Sequence, residues 1–182
     1  MSLSLLSPHC NFFQVHNLFA LKITYTKSAT KINMALQIPI VNTKDITDTA
    51  SILQMYLPSV LYSTCFNDDK LPFAVEVQAT EIGHLFEHIL LEYLCYFKLL
   101  TGEKSAEYSG VTKWNWEKDP WGVFNITINA GLDEFEIFAQ AMQQTILLTQ
   151  YILNEYNPNS LALPTQFLEG PSVQPVFDQL ER

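Results

Sequence analysis

Basic side chains are scarce in this sequence. Lys and Arg together number 10 against 19 Asp and Glu, a formal charge of -9, which argues against a broad cationic surface for nucleic acid. The acidic balance could attract an arginine-rich ligand, although its ordinary consequence is solubility. Cysteine is also sparse: Cys10, Cys65 and Cys95 are an odd set of 3 with no CxxC pair. That pattern fits a reducing compartment and argues against both a disulfide scaffold and a thiolate zinc site. No apolar run reaches the roughly 20 residues that a membrane helix needs. The longest, from Ile89, is interrupted by Glu92 and Lys98. The opening MSLSLLSPHCNFF lacks a basic n-region and is broken by Pro8, so it does not suit a signal peptide. The expected setting is cytoplasmic, with no nucleic-acid and no membrane partner. The sequence shows no GxGxxG turn, no P-loop, no GxSxG elbow and no convincing Cys/His nucleophile pair.

What the chain does have is apolar content. Hydrophobic residues make up 48% and charged residues 16% of its 182 positions, the composition of a folded globular protein with a substantial core. NLFALKITYT (residues 17–26) reads as a strand from its β-branched and aromatic content. NTKDITDTASILQMYL suggests a helix, with Asn42 or Thr43 as cap and an end before Pro58. A second helix is expected from Thr80 as cap, with Glu81 in its first turn, to about Leu100, where Gly102 suits a C-terminal cap. EYSGVTKWNWEK and WGVFNITINA then read as two strands around the turn-like KDPWG. A last helix is expected from Asp133. Helices flanking hairpin-connected strands predict an α+β fold, a two-layer sandwich of a mainly antiparallel sheet with helices on one face. One domain is expected over 1–156, followed by a Pro-rich tail over 157–182. A homo-oligomer is compatible with these features.

The chemistry concentrates in GHLFEHILLEYL, residues Gly83 to Leu94. At about 100° per residue, His84, Glu87 and His88 share roughly one 100° sector of a helix that is otherwise apolar. An apolar helix is normally buried, and unpaired polar groups inside cost several kcal/mol. A divalent metal would resolve that cost. Histidines at i and i+4 project side by side and can reach one ion about 2.0–2.1 Å away. Glu87, between them, could take a proton from a water on the ion. H-x-x-E-H is the reversed zincin arrangement associated with metallopeptidases. The competing interpretation is that both histidines are satisfied structurally and Glu87 pairs with one of them. Catalytic zinc usually has a third protein ligand. Glu92, one turn past His88, is the candidate by helical spacing, with Glu117, Asn129 and Asp133 as further candidates. His9 and His16 have ordinary roles by default. Trp114, Trp116 and Trp121 could stack on a ligand, but cross-strand packing is the commoner role.

IGHLFEHILLEYL, followed by WEKDPWGVFNITIN and a helix, resembles the N-terminal domain of cyanophycin synthetases. That family has a GH-x-x-EH-x-x-LE segment, an R-E-rich loop and a P-G-V-Y-N strand. His84, Glu87, His88, Glu92, Glu117, Gly122, Val123 and Asn125 fall at matching positions, with Phe124 in place of the tyrosine. LPSV at Leu57–Val60, with Cys65 downstream, is similar to the segment before the family's helix. The likeness spans roughly residues 5 to 155 and is strongest from Gly83 to Asn125. The resemblance implies a domain that holds the aspartate–arginine polymer cyanophycin and that in some members cuts it with a metallopeptidase-like site. His84 and His88 would then be ligands of a zinc ion and Glu87 the base. The ATP-grasp and Mur-ligase-like domains that build the polymer are absent from this chain. Asn129 stands where the family's strand ends in glutamate, Trp116 stands for an arginine, and EYSGVTKWN replaces much of a Gly/Arg-rich loop. These departures bear on substrate and on retained activity. The two expectations are a zinc-dependent hydrolase of a peptide or isopeptide polymer, and a non-catalytic polymer-binding or protein-interaction module.

Overall fold

A computed structural model describes residues 10–15, 18–65 and 70–155. His9, His16 and the Pro-rich tail expected at 157–182 lie outside the described residues. The chain forms an α+β fold around one antiparallel sheet of five strands. These are β1 (Cys10–Val15), β2 (Phe19–Tyr25), β3 (Thr30–Leu36), β4 (Gly110–Lys113) and β5 (Val123–Ile128), in the spatial order β1-β2-β3-β5-β4. The helices are α1 (Thr49–Tyr56), the single turn α2 (Phe73–Glu76), α3 (Ile82–Leu100) and α4 (Phe135–Glu155).

Side-chain alternation separates the two faces of the sheet. In register across β2, β3 and β5 stand Leu21, Met34 and Phe124, then Ile23, Ile32 and Ile126, then Tyr25, Thr30 and Ile128. All nine are buried, and they form the floor on which the helices lie. The intervening rows, Lys22–Asn33–Asn125 and Thr24–Lys31–Thr127, are exposed or half-buried, as expected of a sheet covered on one side. β3 and β1 were not expected from the sequence. The hairpin of β4 and β5 was, and the two strands pair antiparallel from Gly110↔Ile128 to Lys113↔Asn125.

Helix α3 buries Leu85, Phe86, Ile89, Leu90, Tyr93 and Leu94 and packs on β4, β5 and α4. Its approach to the sheet depends on Gly83, where a Cβ would penetrate the Phe124 ring. Phe124 is fully buried in the core, so it has little room to move. Gly83→Ala is expected to cost about 1–3 kcal/mol by overpacking. For a chain of this size that corresponds to a Tm roughly 3–9 °C lower in a thermal melt. An unchanged Tm would mean that helix and sheet are less tightly packed than described.

Three local expectations changed in the folded chain. The single helix expected from Asn42 is divided into a 3-10 turn (Thr43–Asp45), whose Lys44 N–H donates to Asn42 Oδ1 at 3.0 Å, and α1. The division falls at Asp48, which takes a left-handed φ of 66°. The last helix begins at Phe135, with Asp133 in a preceding 3-10 turn. Thr80 does not cap α3: the cap position belongs to Glu81, which makes no side-chain cap bond, and the Thr80 hydroxyl is engaged elsewhere. At the other end, Gly102 has a φ of 94° and donates its N–H to Leu99 O at 3.0 Å, the left-handed C-terminal stop expected there. Among the described residues no helix is long and apolar enough to cross a membrane.

Candidate metal centre

Two chain segments meet over the sheet to form the site. The first is α3, whose polar sector carries His84, Glu87 and His88. The second follows a 3-10 turn, Pro58–Tyr62, which begins with the proline that ends α1. Just past it, the Ser63 hydroxyl donates to Val60 O at 2.7 Å. The Phe73 N–H donates to Ser63 O at 2.8 Å and the Cys65 N–H to Leu71 O at 3.1 Å. These bonds lay the buried Cys65 against the histidines of α3.

The donor atoms converge. His84 Nε2 and His88 Nε2 are 3.1 Å apart, Cys65 Sγ is 3.3 Å from His88 Nε2, and it is 4.0 Å from His84 Nε2. A tetrahedral ion with N ligands near 2.05 Å and an S ligand near 2.3 Å would set those edges at about 3.3 Å and 3.6 Å. Small side-chain adjustments bring the observed triangle to that geometry. Cys65, His84 and His88 could therefore hold a metal ion, and no other such group of His, Cys, Asp or Glu occurs among the described residues.

The second ring nitrogens are also held. His88 Nδ1 lies 3.1 Å from Ser63 Oγ. Because Ser63 gives its own proton to Val60 O, its oxygen accepts the Nδ1 proton of His88. The neutral His88 ring is thereby left with a bare Nε2 facing His84 and Cys65, the tautomer that binds a metal. His84 Nδ1 lies 2.8 Å from Thr80 Oγ1, a hydroxyl that can likewise accept from the ring. Phe73 stacks on His88 with centroids 4.0 Å apart and planes 13° from parallel, and meets His84 edge-on at 6.1 Å. Both rings are therefore fixed in orientation as well as in position.

Burial dominates the electrostatics. It pushes the His88 imidazole down to about 3, helped by the neighbouring His84, and lowers His84 as well. Burial, followed by the charges of Glu76 and Glu87, pushes the Cys65 thiol up to about 11. Neutral imidazoles are the ligand form, and a cation at this point would favour the thiolate. Burial also raises Glu87 to about 7, against the opposing hydrogen bond from Thr112.

Glu87 occupies the β4 side of the site. Thr112 Oγ1 donates to Glu87 Oε2, and a Cβ on Gly110 would stand 2.7 Å from Glu87 Oε1. The carboxylate thus lies between α3 and β4, and strand alternation turns Gly110 and Thr112 toward it. Glu87, His84 and His88 open onto one cleft of about 520 Å³, which extends along Glu92 and up to Trp114.

The sequence-derived candidates separate clearly. His84 and His88 come together as expected, with Glu87 in the same cleft. Glu92 lines that cleft but is outside the converging trio. Glu117 lies in the turn after β4, where its N–H donates to Asn115 Oδ1 at 3.2 Å. Asn129 accepts the Ser109 N–H at 2.7 Å, pinning β4 to β5. Asp133 sits ahead of α4 and donates its N–H to Lys27 O at 3.2 Å. The residue missed was Cys65. Spacing rules counted the cysteines as an argument against thiolate ligation, whereas the fold brings one of them within 4.0 Å of both histidines. The available signal was Cys65 downstream of LPSV, in the segment that leads to the helix. The tryptophans pack chiefly on one another and on Phe124: Trp116 lies 4.2 Å from Trp121 and 5.6 Å from Phe124.

No family model, curated protein or solved structure matches this chain.

Proposed function

We propose that the chain is a zinc-dependent hydrolase that cuts peptide or isopeptide bonds in cyanophycin or a related polymer. The observation that carries this reading is the convergence of three protein donors, two imidazole nitrogens and one buried sulfur, at the wall of a cleft lined by both histidines and by the Glu87 carboxylate. Three protein ligands with a fourth position facing a cleft is the pattern of catalytic zinc, whereas structural zinc is closed by four. A His₂Cys set also suits copper electron-transfer sites, but those add a weak axial ligand, usually Met. Among the described residues that line this cleft there is no Met, and the ion proposed here is zinc.

When bound, zinc supplies Lewis acidity toward the scissile carbonyl and toward water. The remaining work falls to the chain's own groups. Glu87 accepts the proton of the attacking water and returns it to the departing amine. Thr112 holds Glu87 Oε2 and so sets the plane of the carboxylate, leaving Oε1 for the water. Ser63 and Thr80 keep the imidazoles aimed at a common point. Glu76, Glu81 and Glu92 add further carboxyl groups to a cleft that no Lys or Arg lines among the described residues, and this charge supports a substrate bearing arginine side chains.

The test uses purified full-length chain, stripped with a chelator and reloaded with one equivalent of zinc. Reloaded protein is expected to release soluble fragments from cyanophycin while stripped protein does not. Zinc retained without any cleavage would overturn the hydrolase reading and favour the binding module.

A further inference from the structure

Among the described residues no strand pairs with the outer edge of β4, and β4 borders the same cleft. β4 is the terminal strand of the sheet in the order β1-β2-β3-β5-β4, and the direction of its peptide groups follows from the register. The Asn129 N–H donates to Ser109 O at 3.0 Å. With Gly110 opposite Ile128 and Thr112 opposite Ile126, the peptide groups of Val111 and Lys113 also turn toward β5. The neighbouring pair agrees: the Leu36 N–H donates to Gly122 O at 3.0 Å, which commits Phe124, Ile126 and Ile128 to β3 and leaves Asn125, Thr127 and Asn129 for β4. Gly110 and Thr112 therefore point their N–H and C=O groups outward, away from the sheet.

Those two residues are also the ones beside the carboxylate. Gly110 faces Glu87 Oε1 without a side chain between them, and Thr112 holds Oε2. Gly110, Val111 and Thr112 line the cleft together with His84, Glu87 and His88. Beyond them, Thr112 and Trp114 also line a second hollow of about 410 Å³, bordered by Lys113, Asp119 and Asn125. A row of outward backbone donors and acceptors thus runs from the candidate metal centre to an aromatic and polar pocket.

We infer that β4 is the main-chain subsite of the enzyme: an extended polypeptide docks on its outer edge as a sixth strand, hydrogen-bonded to Gly110 and Thr112. Strand addition supplies affinity through backbone groups and leaves alternate side chains to nearby pockets. It would draw successive peptide groups past Glu87 and seat a side chain beside Trp114. The inference rests on the hydrolase reading above and adds to it how the substrate is held.

The experiment uses zinc-loaded Glu87→Gln full-length chain, to prevent turnover, and a soluble tetramer of the polymer with two twins N-methylated at alternate main-chain amides. Wild-type cleavage of the unmethylated tetramer is measured in parallel. Binding is expected to slow amide hydrogen exchange at Gly110 and Thr112 by at least about tenfold, with Val111, already in the ladder, unchanged. One methylated twin should bind about tenfold more weakly than the other, because only one set of amides faces β4. If wild type cleaves the tetramer while exchange at Gly110 and Thr112 does not change and both twins bind alike, the β4 subsite is wrong and the hydrolase stands. If the tetramer is neither cleaved nor bound, the hydrolase reading fails for this polymer and the subsite fails with it.

Discussion

Glu87→Gln is expected to keep zinc at one equivalent and to lower the rate of polymer cleavage by about two to four orders of magnitude, the usual contribution of a positioned general base. The substitution isolates the proton-transfer role. Gln has nearly the volume of Glu, and its carbonyl oxygen can still accept the Thr112 hydroxyl that now bonds Oε2. It adds no Cβ branch near Gly110, where space is tightest. It leaves the trio of Cys65, His84 and His88 untouched. The melting temperature and zinc content should therefore match wild type while turnover falls. Equal turnover by the two proteins would remove Glu87 from the mechanism.

Cys65→Ala is expected to weaken zinc binding by at least a hundredfold. Loss of an outer partner of a metal ligand already costs about 10–100-fold in affinity, and loss of the ligand itself should exceed that. The internal control is Cys95, a second free cysteine. Its Sγ bonds Ala106 O at 3.6 Å and has no place in the trio, so Cys95→Ala should bind zinc as wild type does. His88→Ala should resemble Cys65→Ala. The comparison is read by titrating apo-protein with zinc against a competing chelator of known affinity. Matching affinities for Cys65→Ala and wild type would show that sulfur is not a ligand.

Local pattern carried much of this fold. The 3.6-residue period and the Gly102 stop marked α3 nearly residue by residue, and the turn between the two tryptophan-bearing segments announced β4 and β5. β3 also alternates, with Ile32 and Met34 buried and Lys31 exposed, but its Asn, Met and Ala residues are weak strand formers and hide the pattern. β1 lies in a segment whose sequence, CNFFQV, has little alternation of its own. Sheet order could not be read locally, because inserting β5 between β3 and β4 joins residues about a hundred positions apart.

The candidate site divides in the same way. His84, Glu87 and His88 lie within one helical turn, so helix geometry alone brings them to one face. Cys65 reaches them only through the 3-10 turn, Ser63 and the pairing with Leu71 and Phe73, none of which a spacing rule encodes. Glu92 is one turn from His88 along the helix, yet the cysteine is already 3.3 Å from that ring. Thr80 shows the reverse case: its position suggested a cap, and the fold uses its hydroxyl to orient His84.

The central claim is that these three side chains hold a single ion, and zinc K-edge X-ray absorption on the reloaded full-length protein tests it most directly. The expected first shell is one sulfur near 2.3 Å with two imidazole nitrogens near 2.0–2.1 Å, completed by one light atom. A stoichiometric ion whose shell contains only nitrogen and oxygen, or a protein that retains no zinc on reloading, would contradict it.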